Sequence, residues 1–467
     1  MKKKFERKAD GRFFLSIAAT GILSFVGVVI ETAMNVTFPT LMQEFSVTTD
    51  TVQWLTTGYL LVLACIIPVS GFLKRRFPMK RLFVCAAALF IIGTILDGQA
   101  TSITAMIIGR MLQGGGTGVA LPLMFNIVIE QAPQDKMGLM MGAAMLVCAL
   151  APAVGPSVGG FIVTHFGWRM IFWCLLPVLV LSLCAGAYAI RQSSDYGKTP
   201  FDFLGWLCLA FSFTCFILAC TRLDKLAAQA VPIAGLLVLT LLGLYAFYQH
   251  EEKRKKTGKA ALINLDVFTR PSFVFSVFGV VGMQFVVLAI GFLIPNFSQL
   301  VSGETAFRAG CILLPGCLVG AALAPISGRI YDWLGARRPI LTGSILALVS
   351  VILFNLLLPS ASTLVLTCIY VIYTIGQGLS VGNILTFGLS QLPMPLRSDG
   401  NAVFNTLQQL AGAIGTAAAA AIVAAAQHGA ADFTLATADG TKTAFVMLLL
   451  ISAAQGLCMV CAFRHQQ

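Results

Sequence analysis

Charge is scarce in this sequence. Asp, Glu, Lys and Arg make up 11% of the 467 residues while 58% are hydrophobic, and a mean hydropathy of +0.88 lies outside the usual range of soluble domains. The chain therefore reads as a membrane protein. Histidine is rarer still: His165, His250, His428 and His465 are scattered over loops and a tail, so no nucleophile or metal constellation gathers around them. Neither enzymatic activity nor a metal site is expected. A Gly-x-x-x-x-Gly-Lys-Ser/Thr run is missing, and the glycine cluster after Gln113 lacks the lysine that a phosphate-cradling loop needs. That excludes ATP as the direct energy source and leaves an ion gradient, with no cofactor. No polar stretch is long enough to fold as a soluble domain by itself. A small-residue cleavage site is lacking near the N-terminus, whose apolar run is too long for a signal peptide, so the first span is expected to be retained.

Long apolar runs dominate instead. Windows of about 19 residues give fourteen candidate membrane spans, which makes the chain an all-α integral membrane protein. The formal charge of +12 is sorted by side. With the N-terminal MKKKFERK in the cytoplasm, the inside segments hold 25 of the 31 Lys and Arg residues; the outside loops hold only Arg169, Arg222, Lys225, Arg308 and Lys442, and Arg110 lies within a span. This positive-inside bias places both termini in the cytoplasm, and attraction to anionic lipid explains the basic balance without a nucleic-acid partner. Most of the 13 cysteines, among them Cys65, Cys148 and Cys317, fall inside apolar spans. The CMVC run, residues 458 to 461, lies at helical spacing without a second pair, so it reads as packing rather than a metal or redox motif.

An internal repeat is visible by eye. IPVSGFLKRRFPMKR, residues 67 to 81, aligns with APISGRIYDWLGARR, residues 324 to 338, matching Gly71 with Gly328 and Arg81 with Arg338. A second pair aligns Gln113, Gly114 and Gly118 with Gln377, Gly378 and Gly382. Both pairs keep span order, so the chain divides into a six-helix bundle over 1–192, two inserted spans with a cytoplasmic linker over 193–260, and a second six-helix bundle over 261–467. Parallel repeats of this kind are a transporter signature. The fifth span carries APAVGPSVGG, residues 151 to 160. Gly155 and Gly159 sit four apart on one face, where another helix can approach closely, and Pro152 and Pro156 each remove a backbone hydrogen bond and predict a compliant point. A contact that is both tight and bendable suits bundles that rock; static small-residue packing is the alternative.

The GPSVGG run resembles the antiporter motif of drug exporters in the major facilitator superfamily. ETAMNVTFP (31 to 39), WLTTGYLLVLACIIPVSG (54 to 71), GRMLQGGGTG (109 to 118), WRMIFW (168 to 173), FDFLG (201 to 205) and GNAVFNTLQQLAGAIG (400 to 415) resemble further motifs of its fourteen-span drug:proton antiporter branch. The resemblance implies the major facilitator fold, alternating access, and proton-coupled efflux of lipophilic, often cationic, small molecules from a bacterial cytoplasmic membrane. A monomer suffices for this. An exporter of lipid or another dedicated metabolite is the nearest alternative, and a non-transporting membrane sensor or scaffold a more distant one. The loop after span two departs from the family pattern: Arg75 replaces its usual aspartate and Pro78 its second glycine, whereas the second-half copy keeps Asp332 and Gly335. Gating through this loop is in doubt, and Lys74, Arg75 and Arg76 are expected to anchor it to headgroups.

A proton-coupled carrier needs a group that changes charge inside the membrane. Glu31, deep in span one, is the prime candidate, and Arg110 is the one cation deep in a span. Dry surroundings favour a neutral carboxyl group and a nearby cation favours the carboxylate, so proton and substrate are expected to compete for Glu31 while Arg110 sets its affinity and holds span one. The rival is a permanent ion pair that only locks helices. Candidate cavity residues are Asn35, Tyr59, Gln113 and Asn126 in the first half and Gln284, Gln377, Asn383, Asn405, Gln408 and Gln409 in the second, with Tyr373 as a further aromatic contact. Gly155, Pro156, Gly159, Gly160, Gly71, Arg81, Gly328, Asp332 and Arg338 form the gating and packing set. Asp97, Glu130, Glu304 and Asp399 lie near span ends, where solvated or capping roles are expected, and Glu304 and Arg308 are spaced to pair.

Overall fold

The computed structural model describes residues 11–131, 137–192, 201–223, 226–257, 262–358 and 362–465. The basic N-terminal run and Lys225 lie outside them. Helices dominate: α1 (Gly11–Phe45), α2 (Thr49–Arg76), α3 (Met79–Gly98), α4 (Ile103–Gln131), α5 (Met137–Phe166), α6 (Arg169–Ala189), α7 (Phe203–Cys220), α8 (Leu226–Lys256), α9 (Pro271–Leu300), α10 (Ala306–Leu334), α11 (Arg337–Leu357), α12 (Thr363–Ser390), α13 (Arg397–Gln427) and α14 (Phe433–Arg464). Thirteen are long and apolar enough to cross a bilayer, and α5 contributes the apolar stretch Leu150–Phe166. Helix is the required form here, since a lipid-facing backbone must satisfy its own hydrogen bonds.

Local chemistry sets the helix ends. The side chains of Asp202, Thr305, Ser362 and Asp432 accept from backbone amides in the first turns of α7, α10, α12 and α14. Each offsets one of the amides left unpaired at a helix start. Gly335 closes α10 with φ of 75°, a left-handed conformation that costs glycine nothing. Within α2, Pro68 coincides with a short 3-10 turn at Ile67–Val69; α5 stays helical through both of its prolines.

The helices of the first and last sets of six pair alike. α1 packs on α4, α5 and α6, α4 on α2 and α3, and α3 on α6; in the same order α9 packs on α12, α13 and α14, α12 on α10 and α11, and α11 on α14. The sets meet through α5 with α10, α2 with α13, and α1 with α9. The inserted pair α7 and α8 packs on itself, and α7 reaches both α2 and α13, so it covers one seam between the sets. Trp206 of α7 fixes this placement by donating to the Cys65 carbonyl of α2 at 3.0 Å. α8 stays peripheral, with Val231 82% and Leu241 67% exposed, as expected for side chains facing acyl tails.

Candidate functional site

α4 runs between α2 and α3 because its glycines remove side chains where backbones would collide. A Cβ added at Gly93 of α3 would meet the Gln113 amide nitrogen at 3.1 Å, one at Gly114 the Tyr59 backbone at 3.3 Å, and one at Gly116 the Phe90 amide at 3.2 Å. This close threading buries the α4 face that carries Arg110, Gln113 and Thr117, spaced three and then four residues apart. On α1, Gly27 admits α4 in the same way: a Cβ there would lie 3.1 Å from Thr117 Cγ2 and 3.3 Å from the Tyr59 hydroxyl. Glu31, one turn further along, is thereby directed to the same interior.

Arg110 is fully buried. Its Nε donates to the Leu55 carbonyl at 3.1 Å, one Nη donates to Gln113 Oε1 at 2.6 Å, and the guanidinium stacks 4.4 Å from the Tyr59 ring centroid. Gln113 passes the link to α3 by donating to Thr94 Oγ1 at 3.1 Å. The backbone contact is therefore with α2, not with span one as the sequence suggested; a rigid fork reaches the nearer carbonyl. The other Nη is buried without a hydrogen-bond partner among the described residues.

Glu31 and Asp97 are the carboxyl groups within electrostatic reach of Arg110. Among the described residues no ion pair, at a limit of 4.0 Å, joins either to it, so the permanent Glu31–Arg110 lock is not the arrangement present. Glu31 is buried, with 7% of its surface exposed, and accepts no hydrogen bond among the described residues. Asp97 overturns its expected solvated or capping role: it is 0% exposed, and neither carboxyl oxygen has a hydrogen-bond partner among the described residues. Position near the end of α3 suggested solvent; the close approach of Gly109 and the cover of α6 produce the burial.

The remaining candidates separate. Asn35, one turn beyond Glu31, accepts from Thr56 at 3.1 Å, and its carbonyl accepts from Asn296 of α9 at 3.4 Å. Tyr59 faces the cation Arg110, and Tyr373 donates to the Met283 carbonyl at 3.0 Å. Gln408 donates to Gln284 at 3.2 Å, Asn383 to Ser327 at 2.8 Å and Asn405 to the Asn401 carbonyl at 2.8 Å, away from Arg110. Gln377 and Gln409 are half-buried. Asn126 accepts from Lys74 at 3.3 Å near the end of α4, where Lys74 also pairs with Glu130. Lys74 thus has protein partners instead of only headgroups, because α2 and α4 converge there. Glu304 and Arg308 make their pair at 3.3 Å.

GPSVGG serves two interfaces. Gly155 and Gly159 pack on Thr32 and Ala33 of α1, while Gly160 packs on Ala306 and Phe307 of α10 and the Pro156 carbonyl sits against Gly310. Gly71 and Gly328 have open surroundings, and Arg81, Asp332 and Arg338 are exposed. Among the described residues, side-chain hydrogen bonds between the two sets of six are Thr49 to Gln427 at 2.7 Å, Asn296 to Asn35, Gln299 to the Val36 carbonyl at 3.0 Å and the Phe307 amide to Thr164 at 3.2 Å. All lie toward the end where Glu44 pairs with Arg169 at 2.6 Å, the end that the charge bias predicts to face outward.

The family model described as Major Facilitator Superfamily matches residues 20–416. The lincomycin resistance protein LmrB of Bacillus subtilis is 34% identical over 87% of this chain and 85% of its own length. A putative multidrug resistance protein, MdtD of Yersinia enterocolitica, is 26% identical over 85% of this chain and 84% of its own. Among solved structures, a bacterial homolog of the human lysosomal transporter Spinster, inward-facing and unoccupied, superposes with a TM-score of 0.71 at 13% identity, covering 98% of this chain and 99% of that one.

Proposed function

The chain belongs to the major facilitator superfamily, and on that premise we propose that it exports hydrophobic, often cationic, compounds in exchange for protons across a bacterial cytoplasmic membrane. The observation that carries this reading is Glu31, a buried carboxyl group within a membrane span that has no ion-pair partner among the described residues. Such a group is costly to keep charged and is free to take a proton or to meet a cation. The names of the relatives, which speak of resistance to lincomycin and to multiple drugs, support a drug-like cargo.

In the proposed cycle the bundles over 1–192 and 261–467 rock about α5 with α10 and α2 with α13, exposing the interior to each side in turn. Arg110 keeps α2, α3 and α4 in register while Glu31 exchanges its occupant. The test is transport by purified protein in liposomes under an imposed pH gradient, with a panel of cationic dyes set against lipids. Gradient-driven dye movement is the expected result; dye movement indifferent to the gradient overturns the reading.

A further inference from the structure

Two carboxyl groups and one guanidinium share the dry interior of the first six helices. Asp97 is sealed, with both oxygens unpartnered, and Arg110 retains an unpartnered Nη. A Cβ at Gly109 would lie 2.8 Å from the Asp97 carboxyl carbon, so the glycine preceding Arg110 is what lets α4 settle against this acid. On α4, Arg110, the residue after Gly109, is the charged group within electrostatic reach of Asp97. From α6, Trp173 lies beside Gly98 and does not titrate, and Arg169 is committed to Glu44 and the Ala100 carbonyl at 2.8 Å. From α1, Glu31 acts on the same guanidinium.

An uncompensated charge at this depth costs several kcal/mol, so the set is at rest when its charges cancel: one guanidinium, one carboxylate and one neutral carboxyl. We propose that Glu31, Asp97 and Arg110 form a single switch holding one exchangeable proton, with Asp97 the alternate anion for Arg110. When the proton sits on Glu31, Asp97 is ionised; when Glu31 is ionised, Asp97 holds the proton. In each move an O–H bond breaks at one carboxyl and forms at the other, and Arg110 stays cationic. A cationic substrate at Glu31 supplies a second positive charge, so both carboxyls ionise and one proton leaves. Glu31, at 7% exposure the less enclosed of the two acids, meets substrate, and Asp97 is a positioning residue acting through Arg110. The switch rests on the proton-coupled reading of Glu31.

Infrared spectra of the purified protein at neutral pH test it through the carbonyl stretch of protonated carboxyl groups. Subtracting a variant spectrum from that of the unsubstituted protein is expected to show loss of the same one-carboxyl band in Glu31→Gln and in Asp97→Asn, because either substitution leaves one acid facing one cation. Arg110→Gln is expected to double the band. A band that persists in Asp97→Asn assigns the proton to Glu31 alone and overturns the switch, as does one that persists in Glu31→Gln. In weakly buffered detergent solution, binding of ethidium is expected to release one proton from the unsubstituted protein and none from Asp97→Asn; equal release from both also overturns it. Since Asn is nearly isosteric with Asp, elution and melting like those of the unsubstituted protein are expected of Asp97→Asn; should it fail to fold, the smaller Asp97→Ser takes its place in both measurements, with the same outcomes supporting or overturning the switch. Failure of dye transport with the band pattern intact sinks the export reading and leaves the switch standing.

Discussion

Glu31, Arg110 and Asp97 differ in what each has left unsatisfied, and the differences dictate their roles. Arg110 spends its fork on the Leu55 carbonyl and Gln113, a geometry that a lysine ammonium cannot reproduce. Arg110→Lys is expected to lower stability by about 1–3 kcal/mol, the cost of stranding a buried acceptor, seen as a lower melting temperature in detergent. Glu31→Gln is expected to leave the fold intact and to abolish gradient-driven efflux. Normal pH-gradient-driven transport by that variant would refute the assignment. Glu31 and Arg110 were legible as the deep charges of apolar runs. Asp97 was not, since proximity to a span end cannot reveal that Gly109 and α6 close over it.

Helix by helix, glycine spacing decides which elements touch. Gly160 meets the α10 backbone, and a Cβ there would stand 2.8 Å from Phe307 Cα. Gly160→Val is therefore expected to spread α5 from α10 at a cost of about 1–3 kcal/mol. The check is faster labelling of a Thr164→Cys reporter by an impermeant thiol reagent added from outside. The inserted pair depends on a different device. Asp202 accepts from the Gly205 amide at 3.1 Å and His250 Nε2 at 2.7 Å and pairs with Arg254 at 3.3 Å, joining the start of α7 to the end of α8. Asp202→Ala is expected to cost about 1–2 kcal/mol through the lost cap alone, measured by thermal unfolding. The FDFLG run stood out in the sequence as a motif of the fourteen-span branch, but the partners of Asp202, 48 and 52 residues away, were out of reach of any local pattern.

At the scale of the molecule, the two sets of six are tied together at the end where Glu44 pairs with Arg169. Thr49 and Gln427 are joined side chain to side chain at 2.7 Å, so Thr49→Cys combined with Gln427→Cys, in a background freed of native cysteines, is expected to cross-link on oxidation. Transport should stop and return on reduction if the ends must part in each cycle; undiminished transport by the cross-linked protein would exclude rocking at this seam.

The sequence by itself determined the solvent of this protein, its repeat and its helix count, because hydropathy and helical periodicity are local sums that any reader of the chain can form. It also singled out Glu31 and Arg110, since a charge within an apolar run is conspicuous wherever it falls. Only the tertiary structure decided which carbonyl Arg110 binds, that Asp97 is dry, that Asn126 belongs to Lys74 and that α7 covers the α2 and α13 seam. Those outcomes depend on which backbones come close enough to exclude water, and that distance is set by side chains far apart in the chain.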